Sequence, residues 1–166
     1  MKFIRLTLFL LIILLAVFLR FYKLGEIPNG LYVDEAAIGY NAYSFLKTGR
    51  DEYGKPWPVF LRSYGSYAPP LYTYATILPV AFLGLNPFAV RFVSAVSGVL
   101  CVLLIYLIFK NLDFLNRRFI PEIGAFILAF SPWTIFFSRG AYEANLAFII
   151  VLFSIYFLLL SRRKKI

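Results

Sequence analysis

The chain contains no histidine. That removes the commonest side-chain base near neutral pH and a leading metal ligand, so any chemistry must rest on carboxylates, Lys, Arg or Tyr. Cysteine is nearly absent as well. Cys101 is alone and lies in the middle of an apolar block, which excludes an intrachain disulfide and points to a packing role. Charge is sparse, at 15% of residues, and lopsided, with 8 acids against 17 Lys and Arg. With 61% hydrophobic and 20% aromatic residues, a soluble surface could not be assembled from this chain.

The apolar residues come in long blocks rather than at the spacing of a soluble core, and bilayer helices explain the blocks. Five can be marked: Phe3 to Tyr22, Leu71 to Leu85, Phe88 to Phe109, Phe119 to Phe137 and Ala144 to Ser161. The formal charge of +9 raises the question of nucleic acid, but the cations flank these blocks. Lys2 and Arg5 precede the first, Lys110, Arg117 and Arg118 separate two others, and Arg162, Arg163, Lys164 and Lys165 close the chain. That is the arrangement of cytoplasmic membrane flanks, and no nucleic-acid partner is expected. The first block also has the wrong exit for a cleaved signal peptide. Instead of small residues it meets Leu19-Arg20-Phe21-Tyr22-Lys23, which reads as an interfacial anchor of an uncleaved helix.

A bilayer core of about 30 Å needs roughly twenty helical residues, and the second block is short and holds Pro79. If it lies in the interface instead of crossing, the N-terminus, the loop from Lys110 to Arg118 and the C-terminal cluster all fall on the cytoplasmic side. The expectation is therefore an all-α, polytopic membrane helix bundle that forms a single domain over 1–166. Its spans run at about 3–22, 88–109, 119–137 and 144–161, with interfacial helices at about 35–47 and 70–85 in an outer loop, 23–87. Both termini are cytoplasmic in this arrangement, in the inner (plasma) membrane. The outer face then carries Glu26, Asp34, Glu35, Asp51, Glu52 and Glu143.

In the outer loop, Gly25, Pro28, Asn29 and Gly30 form a turn region ahead of a helical run from Ala36 to Leu46, which Thr48-Gly49 stops. Asp34 reads as the N-cap of this helix or as a site acid. The helix places Ile38, Ala42, Phe45 and Leu46 near one face and is expected to lie on the membrane surface. Asp51-Glu52-Tyr53-Gly54 reads as a solvated charged turn. Pro69-Pro70 starts a helix. The tyrosines Tyr64, Tyr67, Tyr72 and Tyr74 fit either a headgroup belt or the lining of a lipid or sugar site. In the second outer segment, Arg139 and Glu143 stand four apart and could pair on one helical face.

Three elements carry a family resemblance: Asp34-Glu35; Pro69-Pro70-Leu71-Tyr72 with Asn86-Pro87-Phe88-Ala89-Val90-Arg91; and Ser131-Pro132-Trp133 followed by Ser138-Arg139-Gly140-Ala141-Tyr142-Glu143-Ala144-Asn145. In their order and spacing the chain resembles the amino-terminal module of the GT-C membrane glycosyltransferases, notably the bacterial relatives of protein O-mannosyltransferases and of the lipid A aminoarabinose transferase. The resemblance runs from about Arg20 to Leu160. It implies transfer of a sugar from a polyprenyl-phosphate carrier to a glycan, lipid or protein hydroxyl on the outer face. Asp34 matches the catalytic base, Glu35 its partner in the Asp-Glu pair, and Glu143 the acid of the second loop.

For contact with substrate or phosphate the candidates are Arg62, Tyr67, Tyr72, Arg91, Arg139 and Asn145. A divalent metal is an open cofactor question with no ligands assigned. Relatives often carry a Lys, or an acid and Lys, just before the Pro-Pro pair, where this chain has Tyr67-Ala68. They are also several hundred residues long, so the chain is expected to be a truncated member or a fragment. The competing expectation is a non-enzymatic membrane module that binds lipid or a partner membrane protein. A small transporter is disfavoured because Arg91 and Glu122 lie near helix ends rather than at mid-span.

Overall fold

The computed structural model describes residues 2–63, 65–112 and 119–163. Of the residues used above, Tyr64, Arg117, Arg118, Lys164 and Lys165 lie outside the described residues. The elements in chain order are α1 (Lys2–Phe21), α2 (Val33–Thr48), β1 (Leu61–Ser63), β2 (Ser66–Ala68), α3 (Leu71–Leu83), α4 (Pro87–Asn111), α5 (Ile120–Phe130), α6 (Pro132–Arg139) and α7 (Glu143–Arg163). The protein is an all-α polytopic membrane bundle with one two-stranded hairpin added.

Helix α4 is the hub, packing against α1, α3, α5, α6 and α7. Its start is written locally. Pro87 sits at the first helical turn, where its missing N–H costs nothing, and the Asn86 side chain accepts the Ala89 N–H at 2.9 Å. At 25 residues it is roughly 37 Å long, enough to cross a hydrocarbon core of about 30 Å. Small residues on α4 let its neighbours approach closely. Ala95 is fully buried, and at Gly98 an added Cβ would sit 2.7 Å from both Arg20 Nε and Ser138 Cβ. Cys101 is buried in the cluster with Leu104, Ile108, Ile149 and Leu152, as a packing residue should be. The opposite pattern appears on α1 and α7, where Phe3, Leu11, Leu14, Val151, Phe157 and Leu158 are exposed. In a bundle of apolar spans that surface faces lipid.

The expectation of one unbroken span from Phe119 to Phe137 is corrected. The chain breaks at Ser131-Pro132, and α5 and α6 meet at a bend of 55°. Proline supplies no N–H, so the Leu128 carbonyl four residues earlier loses its helical donor. Replacement donors are at hand: Thr134 Oγ1 at 2.6 Å and Arg20 Nη2 at 3.3 Å. Arg20 also donates to the carbonyls of Ala129 at 3.1 Å and Ala16 at 3.3 Å. The sequence places Arg20 in an interfacial anchor, whereas in the structure it is fully buried and satisfies the broken helix. Its burial follows from what the break exposes, which is a set of carbonyls without donors.

α3 is too short to cross and packs on α2 and α4. The apolar stripe of α2 is directed inward, with Ile38, Ala42 and Phe45 buried against these neighbours, while Tyr40, Tyr43 and Leu46 stay exposed. The turn that follows is solvated at Glu52, Tyr53 and Gly54, as expected, but not at its first residue. Asp51 is buried, and its Oδ1 accepts the N–H groups of Tyr53 at 3.0 Å and Lys55 at 2.7 Å. At the far end of the bundle from α2, Arg5 and Glu122 join α1 to α5 through a 2.7 Å ion pair.

Candidate functional site

The end of α1, the start of α2, the start of α4 and the α6–α7 junction converge at one end of the bundle, and a buried ion pair ties them. Arg91 on α4 donates Nε to Glu35 Oε1 and Nη2 to Glu35 Oε2, both at 2.9 Å. Its remaining donors reach the carbonyls of Leu24 at 3.1 Å, Pro28 at 2.9 Å and Gly30, so all five N–H groups are used. Glu35 in turn accepts the N–H groups of Tyr32 at 3.1 Å and Ala141 at 2.9 Å. Burial alone would raise the Glu35 carboxyl, but the Arg91 bonds and the two backbone N–H groups outweigh it and hold the group below its ordinary value.

This arrangement excludes the N-cap reading of Asp34. The N-cap of α2 is Tyr32, and the N–H capped by a side chain there is that of Tyr32 itself, taken by Glu35. Asp34 sits in the first turn with its side chain exposed, and it takes no hydrogen bond or ion pair among the described residues. Freed from capping, it points into a cleft of about 370 Å³ that it shares with Glu143, Arg62, Tyr67, Tyr142 and Asn41. Glu143, the first residue of α7, is half-buried and close enough to Asp34 to feel its like charge.

One wall of the cleft is the hairpin, whose register sets Arg62 opposite Tyr67. Gly65, at φ 84°, supplies the turn that joins its strands. Arg62 is exposed, stacks over the Tyr53 ring at 5.1 Å, and is the sole cation among the described residues that line the cleft. Tyr67, at 69% exposed, presents most of its ring to the opening.

The other candidates are placed elsewhere. Tyr72 is buried on α3, and its hydroxyl is inserted into the ladder of α4, donating to Val90 O at 3.1 Å and accepting Ser94 N–H at 3.2 Å. Asn145 is buried and donates to Ser94 O at 2.7 Å, which binds α7 to α4. Arg91 and Arg139 are both committed to the frame. Arg139 donates to the carbonyls of Leu19 at 2.9 Å, Tyr22 at 2.8 Å and Ile27 at 2.9 Å, capping the end of α1. It makes no ion pair with Glu143 among the described residues, because Gly140 ends α6 before a common helical face can form. The inward role of Arg20 and the Tyr32 cap are missing from the sequence reading, as both depend on carbonyls and N–H groups that local sequence does not reveal.

The cleft makes a poor cage for a hard cation. Such ions take six or more oxygens, and no three of the ligating side-chain types converge among the described residues. What the site offers is one carboxylate that is exposed to the cleft, a second close by, an exposed cation and aromatic rings. That combination suits the removal of a proton from a hydroxyl beside an anionic leaving group.

Neither the curated proteins nor the solved structures compared with the chain give a match. The sequence profile of the dolichyl-phosphate-mannose-protein mannosyltransferases matches residues 10–165, nearly the whole chain. The multi-pass bundle is thus that of a GT-C type membrane glycosyltransferase, and the chain belongs to the dolichyl-phosphate-mannose-protein mannosyltransferase family.

Proposed function

We propose that the chain transfers a sugar from a polyprenyl-phosphate carrier to an acceptor hydroxyl on the outer face of the membrane, with Asp34 as the general base. The observation that carries this reading is the division of labour within Asp34-Glu35. Glu35 is saturated by Arg91 and two backbone N–H groups, while its neighbour has no partner among the described residues, in a cleft that also holds Glu143.

A sugar phosphate already carries its leaving group, so the protein has to align the acceptor oxygen with the anomeric carbon and accept a proton. The acceptor O–C1 bond forms as the C1–O bond to the lipid phosphate breaks. The hydroxyl proton passes to Asp34, and the phosphate departs as an anion. Arg62, the cation among the described residues that line the cleft, meets that charge. Glu143 shapes the acceptor side.

The test is transfer from a radiolabelled polyprenyl-phosphate sugar in membranes containing the protein. Asp34→Asn should lose about 10² to 10⁴ in turnover with unchanged expression and melting. Arg62→Ala should slow transfer, and Arg62→Lys should recover part of it, as a charge effect requires. Equal turnover in wild type and Asp34→Asn removes Asp34 from the role.

A further inference from the structure

Arg62 extends from a strand of only three residues, and among the described residues its guanidinium makes no hydrogen bond or ion pair. What holds it is a ring. The Tyr53 ring lies under the guanidinium at 5.1 Å, a cation–π contact. Tyr53 is exposed and is not among the residues that line the cleft, so it reaches the site through the side chain it carries.

The turn that bears Tyr53 is itself fixed. Within it, the buried Asp51 carboxylate gathers the N–H groups of Tyr53 and Lys55, and the Asp51 N–H donates to the Lys55 carbonyl at 2.9 Å. A second tie runs to α2. Asn41 Nδ2 donates to Glu52 Oε1 at 3.1 Å, and the Glu52 N–H donates back to Asn41 Oδ1 at 3.0 Å. Asn41 is buried in the cleft wall and also donates to the Ala37 carbonyl at 3.0 Å, so both its donors are spent on the scaffold rather than on a ligand.

Asn41 follows Asp34 by seven residues, roughly two helical turns, which puts the two on one face of α2. One helix therefore carries two references. Asp34 stands on it directly, and Arg62 is tied to it through Asn41, Glu52 and the Tyr53 ring. An in-line displacement needs that relation kept, because the base attends the attacking oxygen and the cation attends the leaving phosphate.

We propose that Tyr53 is a positioning residue for the transfer, aiming the Arg62 guanidinium at the departing phosphate and keeping it in step with Asp34 through the Asn41–Glu52 tie. This rests on the function proposed above and adds to it what places the cation.

The experiment measures the affinity of the full chain in lipid nanodiscs for polyprenyl phosphate, the product that bears the leaving charge, beside transfer from the radiolabelled donor. Tyr53→Leu should weaken binding and slow transfer by about two- to fivefold, the factor an exposed cation–π contact supplies. Tyr53→Phe keeps the ring face and should bind as wild type. In Arg62→Ala protein, which should bind more weakly than wild type, Tyr53→Leu should change nothing further. Glu52→Gln preserves both bonds to Asn41 and should also bind as wild type. Unchanged binding in Tyr53→Leu or in Arg62→Ala overturns the proposal, as does a further loss from Tyr53→Leu in Arg62→Ala protein or a loss in Tyr53→Phe equal to that in Tyr53→Leu. Asp34→Asn separates the two claims, since it should abolish transfer with binding intact. Transfer indifferent to Asp34→Asn, with the Tyr53 and Arg62 effects still coupled, would sink the base alone. Transfer dependent on Asp34, with those effects independent of each other, would sink the platform alone.

Discussion

Glu35 and Arg91 meet through two parallel hydrogen bonds of 2.9 Å with both side chains buried, and this pair sets where Asp34 can stand. Each partner also holds backbone from another part of the chain, the turn from Leu24 to Gly30 on one side and Ala141 on the other. Removing one partner would strand a buried charge and open four segments at once. Arg91→Met should therefore lower stability by about 3 to 5 kcal/mol, read as a large drop in melting temperature in detergent. Arg91→Lys should not restore it, because an ammonium cannot supply the planar five-donor fork. A lysine variant as stable as wild type would show that charge alone suffices.

The same pair gives a pH dependence with a defined sign. The Glu35 carboxyl is held below its unfolded value of about 4.3, so its contribution to stability is complete above that value and is lost as pH falls through the lower folded one. Melting temperature followed from about pH 6 to about pH 3 should fall at the acid end, and the fall should be shallower in Glu35→Gln. Parallel curves would assign the acid sensitivity to other groups.

Gly98 is where α4 makes room for the Arg20 guanidinium and for Ser138. Gly98→Ala should cost about 1 to 3 kcal/mol through overpacking, even though alanine is the better helix former. Because Arg20 supports the carbonyls freed by Pro132, the loss should appear with altered proteolysis at the α5–α6 junction. A variant that melts at or above the wild-type temperature would contradict this close approach.

On the face of α3 away from α4, Tyr74, Leu78 and Phe82 recur every fourth residue. Trp57 rests on Tyr74 at a ring separation of 5.4 Å. Leu78 is 65% and Phe82 is 81% exposed, and α4 begins at Pro87, five residues after Phe82. We propose that this stripe meets the headgroup boundary of the bilayer that α4 enters. In Trp133→Phe protein, which keeps Trp57 as its one tryptophan, fluorescence should be quenched by lipids brominated high on the acyl chain more than by those brominated near its end. No quenching by either would put α3 in water.

Much of the bundle is legible in the sequence, for physical reasons that differ by element. Helices α1, α4 and α7 are unbroken apolar runs long enough for a bilayer, and α3 betrays itself by its shortness and Pro79. The break at Pro132 is not legible in the same way, since its flanks are as apolar as any span and hydropathy averages across a missing N–H. The hairpin of Leu61–Ser63 and Ser66–Ala68 is too short for its alternation to register. Local reading also misplaces the inward arginines. Arg20, Arg91 and Arg139 all stand at helix ends, where a cation suggests headgroups or phosphate. Their partners are carbonyls, two hydroxyls and one carboxylate brought from as far as 120 positions away. The acids fare better. Asp34 and Glu143 are both in the cleft, while Asp34 is distinguished from Glu35 only once the partners of Glu35 are known.

The central claim is that Asp34 and Glu143 work as a pair in one outer compartment, and paired cysteines test it most directly. In Cys101→Ala protein in intact cells, Asp34→Cys and Glu143→Cys should each react with a membrane-impermeant maleimide from outside. Together they should be bridged by a short bismaleimide. Reaction of the two positions from opposite sides of the membrane, or failure to bridge them, would contradict the account.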